Sequence, residues 1–311
     1  MAISTPRMVG AGIVLLLAIW IPSYVGAAPG FSDWGAPQNL GCGVNSGSAD
    51  LGSATSKGRL SLYFGSSRAT GFGDFDLWVS QRAFVDAPWG PPVNLGETIN
   101  TAGIENVPAL SRDGHWLFFN SDRTGGIGAV DIWVSWRENV HDDFGWQTPV
   151  NLGAGVNSAG FDAGASYFEN EEGGAPLLFF GRGPTMATTD IYVSELQPDG
   201  SFGEGMLIAE LSSAQNDQRP SVRFDGLELF LFSNRTGSLA DGNDLWVSTR
   251  KTVFDAWETP TNLGTAVNGI SDDRHPDISA DRLSLFFSSS RPGGCGGFDL
   301  YMTTRTKIKP D

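Results

Sequence analysis

The sequence predicts an all-β protein folded as a five-bladed β-propeller, and three observations carry that prediction. The string W-x-x-P-x-N-L-G recurs at 34–41, 89–96, 146–153 and 257–264. An aromatic-rich run followed by Asp-[Leu/Ile]-[Trp/Tyr] recurs five times, with Asp76, Asp131, Asp190, Asp244 and Asp299 spaced by 55, 59, 54 and 55 residues. No stretch from Gly30 onward has a convincing helical period. Units of 50–60 residues with four short strands each are propeller blades.

The elements follow in chain order. Arg7 is the only charge before Asp33, the run from Met8 to Tyr24 is apolar, and Val25-Gly26-Ala27 ends it with small residues. Residues 1–27 therefore read as a secretory signal peptide, giving an exported protein (periplasmic or secreted) with no stable membrane span after cleavage. Residues 28–311 read as a single five-bladed propeller. Its blades are roughly 42–96, 97–153, 154–209, 210–264, and 265–305 plus 31–41. In the second unit, strands at 107–111 and 116–120 flank the turn Arg112-Asp113-Gly114. A Gly-rich loop leads to a third strand from Asp131, and a polar loop to a fourth ending at Asn151.

The ends are uneven. The chain opens on a last strand without its first three and closes on a third strand without its fourth. The N-terminal strand should therefore join the last blade and close the ring, removing exposed edges. Cys42 and Cys295 fall at the same end of that closing pair, so a disulfide is expected there. The third unit departs most, with Glu169 to Pro176 at its first turn and no W-x-x-P-x-N-L-G string.

Composition narrows the function classes. Of 311 residues, 35 are acidic and 20 basic, a net charge of −15, with 40% apolar and 18% charged. That apolar content supports a large core and excludes disorder, and the acidity excludes a nucleic-acid partner. Two Cys and three His are too scattered for a Cys/His metal cluster.

Units such as P-A-L-S-R-D-G-H-W-L-F-F-N-S-D-R-T-G-G…D-I-W-V, from Pro108 to Val134, resemble the WD-repeat-like propeller repeat of TolB-type exported proteins. The resemblance covers nearly all of 31–305. It implies an exported binding or scaffold role toward a protein, peptide or glycan.

Motifs for chemistry are sparse. There is no G-x-S-x-G, phosphate loop or H-E-x-x-H. Arg68, Arg123, Arg182, Arg235 and Arg291 each precede the recurring Asp by eight or nine residues, which suggests an Arg–Asp salt bridge holding one loop. Asp74-Phe75-Asp76 and Asp241 to Asp244 hint at calcium, the one cofactor the sequence suggests, without the full loop pattern. His115 and His141 read as surface residues. His275 alone is placed for acid–base chemistry, with a hydrogen-bonded structural role as the alternative. Asp50, Glu105, Asp162, Asp217 and Asp273 each precede the first strand of a blade. They are the candidate binding residues, five carboxylates around one mouth of the channel, with capping of their own loops as the alternative. The leading reading is a monomeric, non-enzymatic binding propeller. The alternative is a glycoside hydrolase using carboxylates at the channel mouth.

Overall fold

The computed structural model describes residues 30–308 apart from 171–172 and 240–241. The expected signal peptide, residues 1–27, lies outside them, as does Asp241. All secondary structure in the described residues is β, in five four-stranded antiparallel sheets.

Blade 1 comprises β2 (Asp50–Thr55), β3 (Ser61–Ser66), β4 (Asp76–Gln81) and β5 (Val93–Asn94). Blade 2 comprises β6 (Glu105–Leu110), β7 (Trp116–Ser121), β8 (Asp131–Trp136) and β9 (Val150–Asn151). Blade 3 comprises β10 (Phe161–Phe168), β11 (Leu177–Thr185), β12 (Thr188–Glu195) and β13 (Met206–Leu207). Blade 4 comprises β14 (Asp217–Val222), β15 (Glu228–Ser233), β16 (Asp244–Thr249) and β17 (Thr261–Asn262). Blade 5 is β18 (Asp273–Ile278), β19 (Ser284–Ser289) and β20 (Asp299–Thr304), completed by β1 (Gln38–Asn39) from the other end of the chain.

The ring is closed as expected. Gln38 lies opposite Met302 and Asn39 opposite Tyr301. The Cys42–Cys295 disulfide spans 253 positions of sequence beside that pair. Chain-entropy arithmetic gives roughly 5 kcal/mol as the upper figure for such a loop.

The core sits between blades. Tyr63 and Leu77 of blade 1 pack with Leu117, Phe119 and Trp133 of blade 2, and the other seams repeat the scheme. Strands covered on both faces read as unbroken apolar runs, and β3, β15 and β19 are buried along their whole length. Each fully buried Phe or Leu contributes about 1.5–3 kcal/mol.

The repeated string has a physical job at every position. Its Asn (Asn39, Asn94, Asn151, Asn262) donates to Asp299, Asp76, Asp131 and Asp244 at 2.7–2.8 Å. Its Trp lies under an arginine that follows the third strand: Arg82 on Trp89, Arg137 on Trp146, Arg250 on Trp257 and Arg305 on Trp34, at 4.1–4.4 Å. The third unit lacks both the tryptophan and the arginine. There β13 still supplies a fourth strand, and Phe202 packs edge-on against Tyr167.

The expected Arg–Asp loop bridge is corrected. Asp76 is satisfied by the Phe72 and Gly73 N–H groups and by Asn94. Arg68 instead reaches Asp50, 18 residues upstream.

Candidate functional site

The five sequence-selected carboxylates stand at or next to the start of each innermost strand, and all five are fully buried. Asp50 accepts from the Ser46 N–H at 2.6 Å and from Arg68 Nη2 at 2.8 Å. Glu105 accepts from the Thr101 N–H at 2.6 Å, Ser121 Oγ at 2.7 Å and Arg123 Nη2 at 3.1 Å. Asp162 takes the Ser158 N–H at 2.6 Å and Arg182 Nε at 2.7 Å. Asp217 takes the Ser213 N–H at 2.6 Å and Arg235. Asp273 takes the Gly269 N–H at 2.8 Å and Arg291 Nη2 at 2.6 Å. Each caps its own loop and neutralises an arginine, so the capping alternative accounts for the geometry.

The cations nearest in sequence, Arg219 to Asp217 and Arg274 to Asp273, do other work. The antiparallel hairpin sets Ser66 opposite Asp50, which brings Arg68, just past the strand end, onto the acid. Arg274 bonds Asp272 at 2.7 Å.

Asymmetry appears two residues further into the channel. Every innermost strand carries a bulge, and the residue two beyond the ring acid has φ between +50° and +70°: Gly52, Val107, Gly164, Arg219 and His275. Glycine fits at two of these, since a Cβ on Gly52 or Gly164 would meet the next blade's backbone Cα at 2.8–2.9 Å. The other three carry side chains in a conformation that costs of order 1–3 kcal/mol each and is found mostly at functional sites.

Arg219 is fully enclosed and crosses the channel. Its Nη1 donates to Ala165 O at 2.6 Å, and its Nη2 to Ser53 O at 3.1 Å and Pro108 O at 2.7 Å. One guanidinium on blade 4 thus bonds blades 1, 2 and 3, while its charge acts on Asp277 of blade 5. Burial lowers its pKa to about 10.

Asp277 stands where the other blades have Ala54, Ala109, Ser166 and Ser221. Ser166 and Ser221 each accept an N–H from the next blade, Val222 at 3.0 Å and Ile278 at 3.1 Å. Asp277 Oδ2 does the same for Thr55 at 3.1 Å. A serine would suffice for that seam, so the second carboxyl oxygen is surplus to the fold. Burial raises the Asp277 pKa to about 6, partly offset by Arg219 and Thr55.

His275 meets Phe232 edge-on at 5.0 Å, and burial, then Arg274 and Arg219, hold its pKa well below the ordinary imidazole value. It is neutral at physiological pH, which removes it as a proton donor. Its Nδ1 and Arg219 Nε are buried without a partner. A cavity of about 30 Å³ beside Arg219 and Asp277 has room for about one water. The sequence signal for this trio was the break in the repeat, at the positions two and four residues beyond each ring acid.

Blade 3 holds one more exception. Among the described residues its recurring Asp190 has no hydrogen bond of the kind seen in the other blades, and burial, then Asp217, raises its pKa. His115 bonds Arg137 O at 2.8 Å and is half-buried, whereas His141 is exposed. Among the described residues no group of three His, Cys, Asp or Glu side chains could hold a metal ion.

The fold and channel define a five-bladed propeller with one unusual carboxyl in its throat. No family model and no curated protein matches the chain. Solved structures do. The catalytic domain of a GH62 α-L-arabinofuranosidase from Coprinopsis cinerea is 14% identical with a TM-score of 0.59, over 90% of this chain and 98% of that one. An α-L-arabinofuranosidase from Lactobacillus brevis is 13% identical with a TM-score of 0.57, over 85% and 93%. A GH43 endo-arabinanase from Bacillus licheniformis is 13% identical with a TM-score of 0.53, over 86% and 97%. TolB from Acinetobacter baumannii is 14% identical with a TM-score of 0.47, over 83% and 55%.

At these identities the likeness shows the fold. It also corrects the expectation of a non-enzymatic binding or scaffold propeller. The three propellers above that match over most of both chains are glycoside hydrolases, so the architecture gives no ground for a non-catalytic assignment.

Proposed function

We propose that the protein is a glycoside hydrolase whose proton-donating carboxyl is Asp277. The observation that carries the reading is this one carboxyl, unique at its repeat position and raised to about 6 in the throat of the channel. A group with that pKa remains partly protonated near neutrality and can protonate a leaving glycosidic oxygen. Asp277 keeps partial exposure beside this water-sized cavity, so a sugar reaches it from the hairpin-turn end of the channel. Glycoside hydrolysis also needs an ionised carboxylate across the scissile bond. The candidate for it is Asp225, in the turn following Phe224, which lines the same cavity; Asp225 itself lies outside that lining and accepts from Arg223 Nε at 2.6 Å, the Leu227 N–H at 3.2 Å and Arg282 Nη1 at 2.8 Å. Burial pushes Asp225 up, but the hydrogen bond and charge of Arg223, with the charge of Arg282, hold it below the ordinary carboxylate range. The Cys42–Cys295 disulfide supports an oxidising, exported location.

The test is a screen of arabinan, xylan and aryl glycosides with the wild type and Asp277→Asn. Turnover by the wild type that falls at least 100-fold in a normally folded Asp277→Asn supports the reading. No turnover across the panel, or equal turnover by the variant, rejects it.

A further inference from the structure

A cleft of about 800 Å³ opens between blades 1 and 2, at the hairpin-turn end of the propeller. That is the end to which the Asp277 cavity belongs, since both are lined by residues at and after the ends of first strands. Lys57, Arg82, Asp113, Arg137, His141 and Asp143 face the cleft. Asp143 is saturated there by Ser61 Oγ at 2.6 Å, Tyr63 Oη at 2.5 Å, Gln81 Nε2 at 2.7 Å and Arg137 Nη1 at 2.8 Å.

Arg82 is different. Its Nε donates to Arg59 O at 2.8 Å and its guanidinium lies on Trp89 at 4.1 Å, which fixes the fork. No hydrogen bond among the described residues takes either terminal nitrogen. The repeat shows what such a fork accepts. The equivalent Arg137 gives Nη1 to Asp143, and Arg305 gives both terminal nitrogens to Glu228, at 2.9 and 2.5 Å; Arg250 also keeps the Nε bond and the tryptophan stack without a carboxylate, but of these two only Arg82 lines the cleft. At Arg82 the frame is kept and the carboxylate is missing. Burial, and then the neighbouring Arg59, disfavour its charged form more than the charge of nearby Asp86 favours it, so a bound anion relieves the site. Lys57 adds a further positive charge in a chain of net charge −15.

We propose that this cleft binds the carboxylate of an acidic sugar unit, with Arg82 as the bidentate anchor and Lys57 beside it. A guanidinium fork matches a planar carboxylate, and the cleft volume suits an oligosaccharide. The anion chemistry comes from the cleft alone, whereas the sugar as its carrier rests on the glycoside hydrolase reading.

The experiment is calorimetric titration of the protein carrying Asp277→Asn, so that binding is read without turnover. The probes are trigalacturonate, a neutral trisaccharide, sodium acetate and inorganic phosphate. Trigalacturonate should bind at least tenfold more tightly than the other three. Arg82→Gln should weaken it at least tenfold, and Lys57→Gln, on an exposed turn, by a smaller factor. Equal binding of phosphate or acetate would overturn the sugar assignment. Failure of trigalacturonate to bind, or unchanged binding in both folded variants, would overturn the site. Neither result depends on whether Asp277 supports hydrolysis, so the two readings fail separately.

Discussion

The acid ring and the channel trio lie only a few residues apart on the same strands, yet they obey different rules. In the ring, all five blades repeat one arrangement, an acid holding a loop N–H and an arginine from the next strand. In the trio, Arg219, His275 and Asp277 occur once each, against glycine, alanine, valine or serine in other blades. Ring groups are fully bonded, whereas Arg219 Nε and His275 Nδ1 have no partner. Five-fold repetition is the mark of a residue serving the blade. A charged side chain that breaks the repeat, at a strained φ and in a buried channel, lacks that explanation.

The contrast can be broken most severely at the ring. Glu105→Gln leaves Arg123 without its charge partner, and removing one member of a buried pair costs about 3–5 kcal/mol. Urea unfolding should show that loss, with turnover per folded molecule unchanged. Altered turnover at unchanged stability would place function in the ring. Opening the closure comes next: reduction, or Cys42→Ser, should cost about 2–4 kcal/mol and expose the β1–β20 edge first in hydrogen exchange. Equal stability of oxidised and reduced protein would contradict it.

Stability against pH sharpens the other side. Asp277 is near 6 in the folded chain and near 4 when unfolded, so the folded state holds the extra proton between those values. The contribution of Asp277 to stability is therefore greatest below about pH 4 and falls by up to about 3 kcal/mol as pH rises to about 6, whereas the contribution of Asp143, Asp225 and Asp272, which are held low, is lost in acid. Asp277→Asn should remove that slope and melt higher than wild type at pH 7. Ser221→Ala, which deletes a seam bond to Ile278, should cost only about 1 kcal/mol in chemical denaturation. A loss as large as that of Glu105→Gln would mean the seams are not equivalent.

The closing strand and the disulfide were legible because both follow from counting strands and from antiparallel pairing. The ring acids were legible in place but not in partner. Arg68 sits 18 residues from Asp50 and eight from Asp76, and only the hairpin register shows that the distant acid is the neighbour. Asp277 was missed because attention to what recurs passes over what does not. The bulges also hide it, since they shift the register between Arg274 and Asp277, so that simple alternation misplaces the side chain.

Whether the broken repeat carries the chemistry is tested most directly by titrating the Asp277 carboxyl itself. ¹³C NMR of aspartate carboxyls, with Asp277→Asn to assign the resonance, reports its pKa without any knowledge of the substrate. A midpoint near 6 is the expected result. A midpoint near 4, that of an ordinary aspartate, would leave the channel without a proton donor and contradict the assignment.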